Sequence, residues 1–552
     1  MRKRKLLLMA SIIIFSLASF CYALETDTHE IINENIDRNS FNGFSLDTYL
    51  KEQLKIESGV EESFNSRKVW WWLRKGGLYE DIPVWYLQYI RSLNHFHNPI
   101  TEEGFKGDCL QSSLCVSSTV WALMPLGTQS SLTGNYSWYD VRAYYYTALT
   151  GKDYGGNIIA VDKTQRDAYF AQTFRGLGQL MHLIQDVSVP AHTRNDFHYF
   201  YNYEDWVVNN VNKNNLSGYG TTFFTGTISN IASFIDTNQY NGSNPQITVN
   251  NNTIGLSEYT NANFFSEDTI FQDYLHPAKE NTSAALVEQQ AEDGEIDRGY
   301  YIKGYQSDKL AAYSYFTNLD ISGVPEGWKY NLDDVVYKDY SEKLIPRAVG
   351  YSAGLLNYFF RGKMDMIKDP NNPNQYIIKN LSNENMFGSF SLYYDDTSDN
   401  RYLVASWGNL AINANSQSSS VTFTAPSSPA PKEKGKYILV FQGTFGNESG
   451  AVMGKVVEGL CAGQWTAYGT VEVCSDYTYG ATICRAATTQ VDGRFGHSYI
   501  VWWQNPNAFN QDCNSTAPYR SMDFYTYPEC YQWNSSWIIA RWEHYIYEWK
   551  CI

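Results

Sequence analysis

Histidines and acidic residues gather in one short stretch of this sequence, although the chain has only nine histidines in 552 residues. His182 and Asp186 stand four residues apart in a segment of helical periodicity, so both side chains project from one helix face. Pro190 ends that helix. The residues after it that could also bind a cation are His192, His198 and Glu204. Imidazoles and carboxylates without cysteine suit zinc, so the pattern predicts a metal site.

A histidine taken alone has a simpler interpretation, because most histidines are hydrogen-bonded core or surface residues. Three histidines interleaved with two acids favour metal binding over that interpretation. The remaining histidines of the C-terminal two thirds, His276, His497 and His544, lie outside the group, and we expect them to be structural.

The N-terminus has the three parts of a secretory signal peptide. Residues 2–5 are all basic, the run Leu6–Phe20 is apolar, and Cys21-Tyr22-Ala23 offers small residues at the cleavage-determining positions. The pattern predicts cleavage after Ala23, with Leu24 as the first mature residue and a secreted or periplasmic protein of a bacterium. An uncleaved anchor is the alternative, but the apolar run is short for a membrane span.

Charge and cysteine content restrict the partners and the compartment. Removal of the four basic leader residues takes the formal net charge from −16 to −20, which disfavours a basic nucleic-acid-binding surface and a stable nucleic-acid partner. Bound cations could still create a local site for phosphate. Cleavage also leaves an even number of cysteines, which suits disulfides in an oxidising compartment. The disulfide candidates are Cys109, Cys115, Cys461, Cys474, Cys484, Cys513, Cys530 and Cys551, and the close pair Cys109 and Cys115 suggests a local staple.

The chain changes character near residue 363. Before it, apolar residues at helical spacing predict helices over Val141–Leu149, Arg166–Val187 and Leu344–Phe360, and the polar segment Asn209–Ile270 reads as long loops. After it, short β-type runs predict strands. Those runs are Ser389–Tyr394, Tyr402–Ser406, Ser420–Thr424 and Tyr437–Gln442. We therefore predict a mainly helical domain over 24–362, a β-sandwich-like module over 364–460 and a cysteine-rich, aromatic-rich domain over 461–552.

The central motif resembles the zinc-dependent phospholipase C and P1 nuclease superfamily. The resemblance rests on Gln185-Asp186-x-x-x-Pro190-Ala191-His192 together with His182. Flanking matches are Thr28-His29-Glu30, Glu80-Asp81-Ile82-Pro83, His95-Phe96-His97-Asn98-Pro99 and the closing helix Leu344–Phe360. The resemblance covers about 24–362, with an insertion at about 205–343, and implies a mainly helical catalytic domain that binds three zinc ions.

The resemblance also implies which residues bind each ion. Asp81, His95, His182 and Asp186 would bind the first zinc ion. His29, a bridging Asp186 and the backbone amino and carbonyl groups of Leu24 would bind the second. His192, His198 and Glu204 would bind the third. His97 and Asp196 are the rivals for His95 and Glu204.

Three positions depart from the family pattern. The first mature residue is Leu24 where the family has Trp, although only its backbone atoms would bind the metal. His198 and Glu204 are six residues apart rather than four, and Ile82 replaces an aromatic residue beside the middle aspartate of the phospholipases.

The resemblance implies hydrolysis of a phosphate ester by a zinc-activated water, with Asp81 as general base. We expect a monomeric phospholipase C-like enzyme that acts on phospholipid phosphodiester bonds. We also expect its C-terminal β region to contact a membrane surface or glycans. A single-strand nuclease or nucleotidase with the same site is the alternative, and the five-residue offset between Leu24 and His29 favours it. A surface-binding protein whose metal is structural is the third interpretation.

Overall fold

The computed structural model describes most of the chain up to residue 460 and parts of the chain beyond it. The described ranges are 26–83, 89–106, 115–196, 201–211, 216, 221–291, 294–303, 308–314, 326–424, 435–458, 460, 463–478, 481–486, 500–503, 519–533 and 537–551. Of residues 282–303 and of the strands after residue 460, the backbone alone is described.

The first part of the chain is helical. Its helices are α1 (Thr26–Arg38), α2 (Leu46–Gln53), α3 (Val69–Asp81), α4 (Tyr89–Ser92), α5 (Ser118–Ala122), α6 (Trp138–Thr150), α7 (Lys163–Asp186), α8 (Pro190–Thr193), α9 (Tyr203–Asn210), α10 (Leu256–Asn263) and α11 (Asp334–Phe360). Helix α7 packs against α3, α6 and α11. Its C-terminal half is buried on every side, from Gly176 to Asp186. The predicted helices over 141–149, 166–187 and 344–360 are confirmed as parts of α6, α7 and α11.

Helices α3 and α7 approach each other closely because both carry glycine at the crossing. A Cβ atom on Gly178 would lie 2.2 Å from the carbonyl oxygen of Leu73, and one on Gly76 would lie 2.3 Å from that of Arg175. No other residue fits such an approach. The crossing brings the C-terminal end of α3 against the C-terminal half of α7.

Side-chain hydrogen bonds define several helix ends. Asp162 accepts a hydrogen bond from the backbone N–H of Gln165 at the start of α7. Helix α7 ends at Asp186, and Pro190 then occupies the first turn of α8. Proline favours this position because its missing N–H would be unsatisfied there in any case.

A β region follows the helices. It consists of β7 (Met364–Asp369), β8 (Asn372–Asn380), β9 (Met386–Asp395), β10 (Arg401–Ile412), β11 (Lys436–Phe445) and β12 (Glu448–Val457). Strands β9 to β12 form an antiparallel sheet in the order β10-β9-β11-β12, and β7 pairs with β8. The predicted strand at Ser420–Thr424 is wrong, because this segment makes only one isolated bridge, between Val421 and Tyr376.

The central strand β11 of the four-stranded sheet is buried on both faces over most of its length. Along β11, Ile438 and Val440 join the hydrophobic core of the helices, whereas Leu439 and Phe441 pack with residues of β7 and β8 such as Met366. This alternation is the two-residue period of a strand. The sheet therefore connects the helical core to the β7–β8 hairpin.

Two further sheets occupy the earlier insertion and the C-terminal part. Strands β3 (Thr282–Ala291), β4 (Gly294–Lys303), β5 (Lys309–Tyr313) and β6 (Tyr330–Asn331) form one antiparallel sheet in sequence order. Strands β13 (Gly463–Thr478), β14 (Ala481–Ala486), β15 (Ile500–Trp503), β16 (Tyr519–Trp533) and β17 (Trp537–Cys551) form another in the order β15-β14-β13-β17-β16. The short strands β1 (Ser63–Phe64) and β2 (Arg67–Lys68) pair before α3.

The interpretation of Asn209–Ile270 as long loops needs one correction. Helix α10 lies inside this segment, and all eight of its residues are buried. Its polar side chains bond to neighbouring backbone; Asn261 donates to the carbonyl oxygen of Thr193 and Asn263 to that of Tyr259. A polar sequence therefore conceals a buried helix.

The coarse prediction of a helical part followed by a β-rich part is confirmed. Over the described ranges no helix combines the length and apolar character needed to cross a bilayer. Cys115 is disulfide-bonded. Its predicted partner Cys109 lies outside the described residues, as do Cys461 and Cys513, while Cys474, Cys484, Cys530 and Cys551 lie on strands whose side chains are not described.

Candidate metal centre

Helix α7 supplies the middle of a cluster of imidazoles and carboxylates. Nε2 of His182 lies 3.0 Å from Oδ2 of Asp186, one turn further along the helix. The four-residue spacing thus sets both ligating groups on one face of a buried helix, as the sequence predicts. Because each is completely buried, any charge on them must be balanced inside the protein.

Three residues from other elements meet this pair. His29 lies in the first turns of α1, Asp81 is the last residue of α3, and His95 follows α4. Nε2 of His29 is 3.1 Å from Oδ1 of Asp186, and Nδ1 of His95 is 2.9 Å from Oδ2. Oδ1 of Asp81 is 3.4 Å from Nδ1 of His95 and 3.5 Å from Nε2 of His182. Five predicted ligands therefore converge on one place.

The donor set fits a cation. Two groups of three, His29 with Asp81 and His182, and His95 with His182 and Asp186, each place one possible ligand atom per residue within 4.8 Å of the others. Both oxygens of Asp81 and both oxygens of Asp186 lack a donor in hydrogen-bond geometry among the described residues. Buried carboxylate oxygens normally have such donors, so these four atoms suit metal ions.

The charges of the cluster strongly affect one another. Burial favours neutral Asp186, but the charges of His182, His95 and His29 outweigh burial and hold its pKa well below the ordinary value. Burial likewise opposes protonation of His95, but the charge of Asp186 outweighs burial and raises the His95 pKa to about 9. Burial, followed by the charge of His182, lowers the pKa of His29. Without a cation, protonated imidazoles balance the carboxylates.

Surrounding groups orient the imidazoles. Nδ1 of His182 lies 2.7 Å from the carbonyl oxygen of Gly77, and Nδ1 of His29 lies 2.7 Å from Oε1 of Gln185. Gln185 in turn donates to Oδ1 of Asn33, so one amide connects α1 with α7. Such contacts leave Nε2 of each ring directed at the carboxylates, as outer partners of metal-binding histidines do.

Glu80 is a buried charge that the sequence does not reveal. Arg91 donates to it at 2.9 and 2.7 Å, and Trp121 and Gln179 donate at 2.8 and 2.9 Å. Burial would raise the pKa of Glu80, but Arg91 lowers it to about 2. The carboxylate also lies 3.8 Å from Nε2 of His95. It is next in sequence to Asp81, so its ion pair fixes the end of α3.

The predicted third ligand group is described in part. Nε2 of His192 lies 3.3 Å from Oε1 of Glu204, and its ring stacks on Phe96 at 4.3 Å between centroids. His198 and Leu24 lie outside the described residues, so their roles stay predictions. The rival Asp196 accepts a hydrogen bond from the backbone N–H of Asp268.

The rival His97 does not enter the cluster. Its Nδ1 lies 2.6 Å from Oγ of Ser117, and its Nε2 lies 2.6 Å from Oδ2 of Asp236. Asp236 belongs to the insertion, 139 residues away in sequence, and no pattern in the sequence connects the two. His276, predicted to be structural, offers its carbonyl oxygen to Arg194. His497 lies outside the described residues, and His544 lies on β17.

Comparison of the chain with protein families, with curated proteins and with solved structures gives no match.

Proposed function

We propose that this chain is a zinc-dependent hydrolase of phosphate esters, similar to phospholipase C. The observation that carries the proposal is the buried group of Asp81 and Asp186, whose four oxygens lack hydrogen-bond donors among the described residues and face His29, His95 and His182. Their convergence from three separate helices and a loop is costly unless a cation binds there.

The position of each residue indicates the role that it would have in the centre. Asp186 approaches His29 through one oxygen and His95 and His182 through the other, so it can serve two ions at once. Asp81 would bind the ion held by His95, His182 and Asp186 and would orient a water molecule as general base. His192 and Glu204 would contribute to a third position. Bound zinc would supply positive charge for the phosphate and lower the pKa of water towards about 7.

The protein's acidity makes this local charge important. With a formal charge of −16 before any cleavage, the chain has no general attraction for phosphate esters. A substrate anion would therefore depend on the metal centre, as expected where bound ions are the largest local charges.

Single-strand nuclease activity is the second candidate. Its support is the five-residue offset between Leu24 and His29, together with the residue Ile82 in place of an aromatic ring beside Asp81. A non-catalytic protein with structural metal is the third. Contact of the C-terminal β region with membranes or glycans, a monomeric state and secretion or periplasmic location stay predictions.

One experiment separates these functions. The processed protein is incubated with phosphatidylcholine vesicles and with single-stranded DNA, each with and without chelator, and its zinc content is measured. Chelator-sensitive release of diacylglycerol supports the phospholipase, and shortened DNA supports the nuclease. Zinc retention without either activity supports a structural metal. A folded protein that neither contains nor takes up zinc contradicts all three.

A further inference from the structure

A second group of possible ligands lies outside the centre described above. It consists of His97, Glu102 and Asp236, each of which offers one ligand atom within 4.8 Å of the other two. His97 and Asp236 are buried and Glu102 is exposed. None of the three belongs to the ligand set proposed for the phosphoesterase centre.

Neighbouring groups hold the His97 ring in one orientation. Nδ1 of His97 is hydrogen-bonded to Oγ of Ser117 at 2.6 Å, and this hydroxyl is also hydrogen-bonded to Oγ1 of Thr119 at 2.7 Å. Nε2 is thereby directed towards Asp236 and Glu102. An imidazole fixed through one nitrogen and presented through the other has the arrangement of a metal ligand with its outer partner.

The loop that carries Asp236 is held in place by hydrogen bonds to the side chain of Glu258. Glu258 accepts hydrogen bonds from the backbone N–H groups of Thr237, Gln239, Tyr240 and Gly255. Asp236 itself accepts from the backbone N–H of Asn238 through Oδ1 at 2.7 Å, which leaves Oδ2 for the side of His97. The carboxylate is therefore held in place before any ligand binds.

Glu102 reaches the group from a tight turn. Its backbone N–H donates to the carbonyl oxygen of Asn98, and its φ angle of 60° is a left-handed value that costs energy for a residue other than glycine. Burial, followed by the charge of Asp236, raises the pKa of Glu102. Two carboxylates that share so small a space repel each other unless a cation lies between them.

A cavity of about 480 Å³ opens beside these carboxylates. Its lining includes Glu102, Thr119, Asp236 and Asn238 together with Val120 and Met124, and the described part of that lining contains no lysine or arginine. The lining therefore has net negative charge. Three protein ligands beside open space also leave room for water or a further ligand on a bound ion, as in metal sites that are not closed.

We propose that His97, Glu102 and Asp236 bind a divalent transition-metal ion, Zn²⁺ or Mn²⁺, at the cavity, separately from the phosphoesterase centre. One imidazole with two carboxylates suits these ions better than Ca²⁺, which takes six or more oxygen ligands. The ion would bind Nε2 of His97 together with one oxygen of each carboxylate, and its charge would offset theirs. The site does not depend on the proposed function.

The test is metal stoichiometry in the full chain. Protein stripped with chelator is dialysed against Zn²⁺ or Mn²⁺, and bound metal per chain is measured for wild type, Glu102→Gln, Asp236→Asn and Asp186→Asn. Glu103→Gln is the matched control, because Glu103 is adjacent and pairs with Lys106 outside the group. Circular dichroism checks that each variant is folded.

We expect Glu102→Gln and Asp236→Asn each to bind one ion fewer than wild type, or to bind it at least about tenfold more weakly. Glu103→Gln should match wild type, and Asp186→Asn should keep the ion that Glu102→Gln loses. The proposed site is contradicted if wild type and folded Glu102→Gln bind equal amounts of metal after loading with Zn²⁺ and also after loading with Mn²⁺. Since Glu102 is exposed, this variant remains informative even if Asp236→Asn fails to fold. If the Asp186 centre binds no zinc, the difference in metal content between wild type and Glu102→Gln is still expected, so failure of the proposed function and failure of this site can be told apart.

Discussion

Nε2 of His182 and Oδ2 of Asp186 lie 3.0 Å apart on successive turns of α7. A helix buried on all sides allows these two groups little freedom, so their separation is set before a metal binds. The other ligands must come to this pair, because α1, α3 and the segment after α4 each bring one residue to it. Asp186 is therefore the residue at which the other ligands meet.

Replacement of Asp186 by asparagine should remove zinc from the buried centre. The change keeps the size of the side chain but removes the charge that faces three imidazoles. We expect zinc affinity to fall by more than the roughly 10–100-fold lost with an outer-shell partner, measured by competition with a chromophoric chelator. Asp167→Asn, on the same helix and paired with Lys163, is the control and should bind zinc normally. Unchanged affinity in folded Asp186→Asn would contradict the proposed centre.

Replacement of Gln185 by alanine tests the outer contacts. Gln185 joins Nδ1 of His29 to Asn33, and its loss would free the ring and leave the Asn33 amide without this partner. We expect zinc affinity to fall by about 10–100-fold and the free energy of unfolding by about 1–3 kcal/mol. The control is Gln172→Ala, which removes only a bond with Tyr136. Equal zinc affinity in both variants would assign Gln185 a purely structural role.

Local spacing made part of this site predictable. His182 and Asp186 lie next to each other in the structure because residues four apart in a helix share one face. The matches at His29, Asp81 and His95 depended on resemblance, since no local rule connects α1 or α3 with α7. The structure brings these three residues to the His182–Asp186 pair, and their role as metal ligands stays a prediction.

Contacts between distant residues could not be predicted in the same way. Glu80 accepts hydrogen bonds from three residues that lie 11 to 99 positions away, and His97 contacts Asp236, which belongs to the insertion. Composition does not reveal helix α10, because polar residues such as Glu258 and Asn261 are buried there through bonds to the backbone of other segments. The segment Ser420–Thr424 contains residues that favour strands, but it forms only a single bridge, between Val421 and Tyr376.

The metal-free protein should lose stability as the pH rises above neutrality. The folded state raises the pKa of His95 from 6.5 to about 9. The stabilisation from this proton is complete below pH 6.5 and disappears as the pH rises through about 9. We therefore expect a lower free energy of urea unfolding at pH 9.5 than at pH 7 with chelator present. Both values lie above pH 6.5, where His29, whose pKa is lowered, stays neutral.

Zinc-loaded protein is the control for this pH dependence. Metal binding requires neutral imidazoles, so the loaded protein has no His95 proton to lose over the same range. Its unfolding free energy should change less between the two pH values. An equal change in both forms would show that other groups cause the loss.

Alanine at Gly178 should separate the two helices that meet beneath the site. The added Cβ would lie 2.2 Å from the carbonyl oxygen of Leu73, a backbone atom that cannot move aside alone. We expect a loss of about 1–3 kcal/mol in unfolding free energy and weaker zinc binding, because α3 carries Asp81. Gly408→Ala, whose nearest neighbour is Ser389 Oγ at 4.0 Å, is the control. Normal zinc affinity in Gly178→Ala would mean that the crossing does not position Asp81.

Alanine at Glu448 should loosen the β sheet from the helices without altering the metal ligands. Glu448 receives Arg142 through two bonds of 2.8 and 3.1 Å and Arg361 through one of 2.6 Å, and all three side chains are largely buried. Removing it would leave the buried Arg142 guanidinium without a carboxylate, whereas Arg361 keeps its pair with Glu384, so we expect a loss of about 3–5 kcal/mol in chemical unfolding. Glu458→Ala, an exposed carboxylate paired with Lys55, should change stability by no more than about 0.5 kcal/mol. Zinc content at saturating metal should equal wild type in both variants, since neither residue touches the cluster. A loss of zinc in folded Glu448→Ala would instead show that the sheet helps to position α7.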